Sequence, residues 1–374
     1  MNFVGRGSIV LLLFGIFNLF YIKNIKFSFE GVLLLFMSFG MIIAVLMFPG
    51  NNIISELIKT FNYVLSFVVG YCGYIIATDK EKYIRRTLFS LYLGYVIHIL
   101  LMYMNNVRIG TEGRTLISIW TGEAIAVTLV GLLSSYVVAY AISNIIYAPK
   151  LLLKIFGVIG VVAVFLINMQ TATRTPFVSM LILTAVLLIL GFAANEHKNY
   201  NHLLAIVFVA ILLIALFGFD LFGIRTIVME SPIVERFEQE GMQTSRFEIA
   251  KNYFAQMFSY PFGGNQIAEI VGQEAHNLWQ QFYDFYGIIP TALLLVITTS
   301  MIVKLIQLFF LKYKKPLEYT LIAIYFISFI QMLLEPVVTG YPILFWTFLL
   351  IHGMATNYYK DRVNEHNIKK ERFL

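Results

Sequence analysis

Charge is scarce in this sequence. Asp, Glu, Lys and Arg make up 13% of its 374 residues, about half the roughly 25% usual in a soluble domain. Cysteine is nearly absent: the one thiol, Cys72, lies in the apolar run FVVGYCGYII. A lone cysteine has no intrachain partner, which excludes a disulfide scaffold and assigns Cys72 to packing. Low-complexity linkers and internal repeats of about 20–50 residues are missing too, so a linker-joined array is not expected. No Asp-x-Asp motif occurs anywhere in the chain. What is abundant is apolar surface, with 59% hydrophobic residues and a mean hydropathy of +0.79. Water cannot solvate that much, so the solvent is lipid, and a cytosolic enzyme or a disordered chain is excluded.

A helix needs about 20 mostly apolar residues to cross the hydrocarbon core. Such stretches fall at 3–22, 29–48, 57–78, 87–104, 123–146, 151–169, 176–194, 202–222, 288–311, 317–334 and 341–359. The expected fold is therefore all-α, a polytopic membrane protein of about 11 transmembrane helices (10–12), forming a single integral membrane domain over 1–374. Arg6 alone precedes the first apolar run, and Lys23-Asn24-Ile25-Lys26 follows it with no small-residue cleavage site. That run is read as a retained span rather than a signal peptide.

The net charge of +6 reports topology, not nucleic acid. Basic residues collect in the tail (Lys360, Arg362, Lys369, Lys370, Arg372) and in alternate loops. Those loops hold Lys312, Lys314 and Lys315; Lys198; Lys150 and Lys154; Lys80, Lys82, Arg85 and Arg86; and Lys23 and Lys26. Together these are seventeen of the 27 bases, whereas the loops at 49–56 and 335–340 have none. The positive-inside rule then puts the tail in the cytoplasm and the N-terminus outside.

One loop, 223–287 between the eighth and ninth spans, is far longer than the rest and falls on the outside. It carries eight acids and four bases together with apolar residues at helical spacing, so ordered amphipathic helices are expected there. Ser245 and Glu248 have capping-box spacing, which starts a helix at Arg246. Phe247, Ala250, Phe254, Met257 and Phe258 form its apolar stripe, and Pro261 with Gly263-Gly264 ends it. Such a helix lies on the membrane surface or against the bundle. Arg246 at its start is placed to hold an anion, or to pair with Glu248 or Glu240. Further along, His276, Gln280, Tyr283 and Gly287 are spaced as one helical face, where Gly287 would leave room for a ligand or a neighbouring helix. His276 is read either as a capping residue or as a catalyst.

Two shorter outside loops also carry arginine: Arg108 and Arg114 in NNVRIGTEGRTLISIW, and Arg174 in NMQTATRTPF, just before Pro176. Proline favours the first turn of a helix, so Arg174 also sits at a helix start. Arg114, Arg174 and Arg246 on the outside call for a shared anionic ligand or for separate anchoring to lipid phosphates.

The segment His276-Asn277, nine residues, then Gly287 resembles the H-[NSQ]-x9-G motif of the O-antigen ligase and polymerase superfamily. TSRFEIAKNYF with YPFGGN resembles that family's arginine-containing stretch ending in P-x-G-x-G. TATRTPFVSMLIL resembles its S-R-[GT]-x4-L helix opening, and GRTLISIWTGEAIAV more loosely its R-x-x-G-x3-N-P-N region. The matches keep the family's order over roughly 108–300. Pro290 stands where ligases carry Gly, Thr or Tyr, and Thr121-Gly122-Glu123 replaces Asn-Pro-Asn; both departures favour the polymerase branch. The resemblance implies a C-type glycosyltransferase fold in a bacterial inner (cytoplasmic) membrane, with its site on the periplasmic or extracellular face. It implies a polymerase that joins undecaprenyl-diphosphate-linked oligosaccharide repeat units into O-antigen, capsule or exopolysaccharide. No metal or other cofactor is implied, and arginines would take the metal's place. On this basis the catalytic set is His276, Arg246 and Arg174, with Arg114, Asn277, Gln280, Glu248 and Tyr283 binding substrate. Partners would be the lipid-linked glycans, membrane lipids, a chain-length regulator and a flippase, and no nucleic acid.

Two other functions are carried beside this one. An O-antigen ligase would transfer the chain to lipid A-core. A polysaccharide flippase or transporter would place charge within its spans, where the sequence shows chiefly His98 and Lys304.

Overall fold

The structure is a computed structural model, and it describes residues 28–49, 53–110, 115–193, 229, 246–311, 314–340 and 342–371. In chain order the helices are α1 (Phe29–Met47), α2 (Ile53–Ile76), α3 (Lys80–Ile109), α4 (Val127–Tyr147), α5 (Leu151–Gln170), α6 (Thr175–Ala193), α7 (Arg246–Gln256), α8 (Gln266–Val271), α9 (Leu278–Tyr286), α10 (Ile288–Phe309), α11 (Pro316–Leu334), α12 (Val337–Gly340) and α13 (Pro342–Glu371). Seven of the described helices (α1 to α5, α10 and α11) are long and apolar enough to cross a membrane. The chain is thus an all-α, multi-pass membrane protein. Helices α6 and α13 cover the spans expected at 176–194 and 341–359. The spans expected at 3–22 and 202–222 lie outside the described residues.

The helix ends follow local chemistry. Ser28 caps α1 by accepting from the Gly31 N–H at 3.0 Å, and Pro316 and Pro342 open α11 and α13, where a missing N–H costs nothing. Helix α3 begins well before its apolar stretch, in a charged turn where Arg85 pairs with Glu81 at 2.6 Å, four residues apart. The all-α expectation has one small exception, the antiparallel pair β1 (Leu116–Ile117) and β2 (Ala124–Ile125), with Leu116 opposite Ile125. Asn106 fastens it, its Oδ1 accepting from the Ile117 N–H at 2.8 Å.

The chain forms two compact units from interleaved segments. The first comprises Met1–Leu88, Ser245–Leu308 and Ser328–Leu374; the second comprises Phe89–Thr244 and Phe309–Ile327.

In the first unit α2 and α13 pack backbone to backbone. A Cβ on Gly70 would lie 2.0 Å from the Leu350 carbonyl oxygen, and one on Gly353 2.4 Å from that of Phe67. Small residues permit this approach, which replaces the hydrophobic drive that lipid cannot supply. Tyr63 holds Phe282, Phe345 and Trp346 edge-on around it. Cys72 is buried in α2, as its apolar surroundings imply. At the C-terminal end of α2, Asp361 accepts from Lys80 Nζ at 2.7 Å and from the Tyr74 hydroxyl at 3.0 Å.

In the second unit α4 is the most enclosed helix, with 83% of its apolar window buried. Its buried polar side chains are neutral, and two of them pair with neighbouring helices. Asn168 Nδ2 donates to Ser134 Oγ at 2.8 Å, and Ser143 Oγ donates to Thr320 Oγ1 at 3.1 Å. The ring of Tyr147 stacks on that of Tyr319 with centroids 3.7 Å apart.

Candidate functional site

The long loop is folded where it is described. Helix α7 starts at Arg246, where the capping-box spacing places it; Ser245 itself lies outside the described residues. The helix continues into a short 3-10 turn, Met257–Ser259. Ile249 and Tyr253 on α7 pack with Ile267, Ala275 and Tyr283 into a small core of the loop's own.

Asp284, buried on α9, organises that core. Its carboxylate accepts from the backbone N–H groups of Ile267 at 2.8 Å and Ala268 at 3.1 Å, so it caps the start of α8. Tyr253 lies between the two, its hydroxyl 2.9 Å from the Gln273 carbonyl and 3.3 Å from Asp284 Oδ2. Burial pushes the Asp284 carboxyl above its ordinary value against these hydrogen bonds.

Asn277 is the N-cap of α9: its Oδ1 accepts from the Gln280 N–H at 2.9 Å, and its Nδ2 donates to Gln280 Oε1 at 2.5 Å. Gln280 Nε2 reaches α7 and donates to the Ala250 carbonyl at 2.7 Å, while the Tyr283 hydroxyl donates to the Met257 carbonyl. The expected single helical face is therefore corrected. His276 precedes the cap, Gly287 follows the helix with φ +79°, and of the four only Gln280 and Tyr283 are helical. Nor does Gly287 leave open room. A Cβ there would lie 2.6 Å from the Pro261 carbonyl oxygen, and one on Gly263 2.6 Å from that of Phe285. The turns at 261–264 and 285–288 press backbone on backbone, closed by Ile288 N–H to Pro261 at 2.8 Å and Asn265 N–H to Asp284 at 2.7 Å.

Arg246 is held by a carboxylate that the sequence reading missed. Its Nη1 donates to the Leu334 carbonyl at 2.7 Å, and Nη1 and Nη2 both lie 3.3 Å from Glu335 Oε1. The Glu335 side chain is 5% exposed and that of Arg246 36%, so the guanidinium is fastened from its buried side while still meeting solvent. An ion pair at Arg246 was one expectation, with Glu248 or Glu240 as partner. Glu248 instead stands exposed in the first turn of α7, where it complements the helix dipole, and Glu240 lies outside the described residues. The only hint of Glu335 in the sequence was an acid ending an apolar span beside a loop with no base. Gln281 ties that same loop to α9 by accepting from the Val338 N–H at 2.7 Å.

His276 is half-buried, and its Nδ1 is buried with no hydrogen-bond partner among the described residues. Burial first, and then the Arg246 guanidinium, hold the imidazole below its ordinary value of 6.5, with Glu274 opposing them. Near neutral pH it is therefore uncharged and able to accept a proton at Nδ1.

The structure thus gathers Arg246, His276, Asn277, Gln280 and Tyr283 in one folded loop. Arg174 belongs to the second unit. There its carbonyl accepts from Phe177 and Val178 N–H at 3.1 and 3.3 Å and starts α6, with Pro176 in the first turn. The turn before it is tight: Ala172 has φ +52°, and the Thr171 and Thr173 hydroxyls are 2.8 Å apart. Arg114 lies outside the described residues. No protein-family model and no curated protein matches the chain.

Proposed function

We propose that this chain is a membrane polymerase of the O-antigen ligase and polymerase superfamily. It would join oligosaccharide repeat units carried on undecaprenyl diphosphate. On this reading the fold is of the C-type glycosyltransferase kind, with about eleven spans including 3–22 and 202–222, and the 223–287 loop faces away from the cytoplasm. The observation that carries the proposal is the neutral His276, its Nδ1 buried and without a partner among the described residues, beside Arg246 within the loop whose motifs bear the resemblance.

The chemistry is a displacement at the donor's anomeric carbon. The acceptor hydroxyl oxygen forms the new glycosidic bond as the bond from sugar to phosphate oxygen breaks, and the lipid diphosphate leaves with the electron pair. The His276 imidazole takes the acceptor proton. Arg246 meets the charge gathering on the diphosphate, and by the resemblance Arg174 and Arg114 are further candidates for that role. Asn277, Gln280, Glu248 and Tyr283 would shape the glycan site around them.

The test is purified protein in nanodiscs, supplied with undecaprenyl-diphosphate-linked repeat units and a chelator. Longer lipid-linked glycan and free undecaprenyl diphosphate should both appear, and both should be lost in Arg246→Lys and Arg246→Ala alike, since lysine lacks the planar fork. Product formed only when lipid A-core is added would make the chain a ligase. No transfer to either acceptor would sink the glycosyltransferase reading.

A further inference from the structure

Helix α7 has three faces rather than two. Ile249, Tyr253 and Met257 turn into the loop's core. Glu248, Asn252 and Ala255 are exposed on the polar side. Between these faces runs a row of phenylalanines that no described residue covers: Phe247 is 86% exposed, Phe254 65% and Phe258 77%. At 3.6 residues per turn Phe247 and Phe254 lie within about 20° of one another around the helix, and Phe258 follows in the 3-10 turn at its end. Phe262, in the turn beyond, continues the row at 64% exposed. Isolated exposed apolar residues need no explanation, but four aligned phenylalanines form a patch that does.

The row leads into surface that faces lipid. Ile288 N–H donates to Pro261 at the first residue of α10, whose first turn exposes Ile288 at 43% and Ile289 at 68%. Gly264 lies against the Phe48 ring at the end of α1, where Leu46 and Met47 are 61% and 53% exposed. Both helices are long and apolar enough to span, and their exposed ends continue the phenylalanine row through these two contacts. Lys251 is exposed one turn from the row, where its ammonium can reach lipid phosphates while its stem covers apolar surface.

We infer that α7 and the turns that follow it are interfacial, and that Phe247, Phe254, Phe258 and Phe262 insert into the lipid of the leaflet where α1 ends and α10 begins. A helix with an apolar face and a polar face lies flat at that boundary, its apolar face about 5–10 Å into the headgroup and acyl region. Arg246, the first residue of the same helix, is then held at the depth of lipid phosphate groups. This inference depends on the spans and not on the glycosyltransferase reading.

Spin labels test it in liposome-reconstituted protein, in a Cys72→Ser background, at Phe254→Cys, Phe258→Cys and Phe262→Cys, with Glu248→Cys and Asn252→Cys as the water-facing set. The phenylalanine sites should collide several-fold more with oxygen, which concentrates in lipid, than with a water-soluble nickel chelate. The other two should show the reverse. Nickel access at the phenylalanine sites would put the row in water and overturn the inference. Shielding from both reagents would mean that protein covers the row, either residues 223–245 or a partner, and would overturn it equally. Phe258→Trp needs no cysteine replacement: brominated phospholipids should quench it strongly, and Glu248→Trp hardly at all. Equal quenching of the two would also refute the inference.

Discussion

Two kinds of polar contact, one drawn from each compact unit, rest on different chemistry. In the unit that carries Arg246, that arginine pairs with the buried carboxylate of Glu335. The unit that carries Arg174 uses amides and hydroxyls, in Asn168 with Ser134 and Ser143 with Thr320. A neutral pair inside a membrane protein contributes little, about 0.6 kcal/mol on average, because its members find other partners when separated. A charged pair behaves otherwise once one member is removed, because the remaining charge cannot relocate cheaply. Breaking the Arg246–Glu335 pair should therefore have a sharp effect, and breaking the Asn168–Ser134 pair should be absorbed.

The largest effect is expected at His276. His276→Gln keeps a hydrogen-bonding side chain but cannot take the proton, so transfer should fall by about 10²–10⁴-fold with protein yield unchanged. Near-normal turnover in that variant would leave the catalytic proposal to the arginines alone. Next comes Glu335→Ala, which strips a buried carboxylate from Arg246. Because the arginine is partly exposed, the cost falls below the 3–5 kcal/mol of a fully buried pair, to about 1–3 kcal/mol. Thermal unfolding in detergent should show that loss, and Arg246→Ala added to Glu335→Ala should recover part of it. Ser134→Ala in the second unit should cost only about 0.6 kcal/mol, and a loss matching that of Glu335→Ala would erase the contrast between the units.

The smallest effect concerns pH. His276 is held below its ordinary value, so it stays neutral, and activity should persist, to a pH below 6.5. Glu274 raises the imidazole's value; Glu274→Gln should therefore move the acid limb of the rate profile to still lower pH. A shift toward higher pH would show that the acid limb belongs to another group.

The membrane-spanning character was legible in the sequence because hydropathy over about 20 residues is a summed signal, insensitive to single contacts. The start of α7 was legible for a local reason, a serine and a glutamate at capping distance. What escaped was long-range or purely backbone. Glu335 lies 89 residues from Arg246, and nothing at either position names the other. Asp284 caps α8 from 17 and 16 residues away. Helical spacing put His276 on a face, but Asn277 takes the cap position and leaves His276 ahead of the helix. Gly287 signalled a close approach correctly, yet its neighbour is the backbone of Pro261 and Phe262, a contact no side-chain pattern encodes. The hairpin at 116–125 has strands of two residues, too short to alternate.

The seating of Pro261 on Ile288 turns the stretch between them into a closed ring, fastened at both ends to the start of one helix. His276 sits inside that ring, so its position is insulated from whatever precedes α7. A change of length or sequence before Arg246 need not displace the imidazole, which is anchored inside the clasp. A lineage built this way would diversify on one side of the clasp and stay fixed on the other, with Gly263 and Gly287 obliged to persist together.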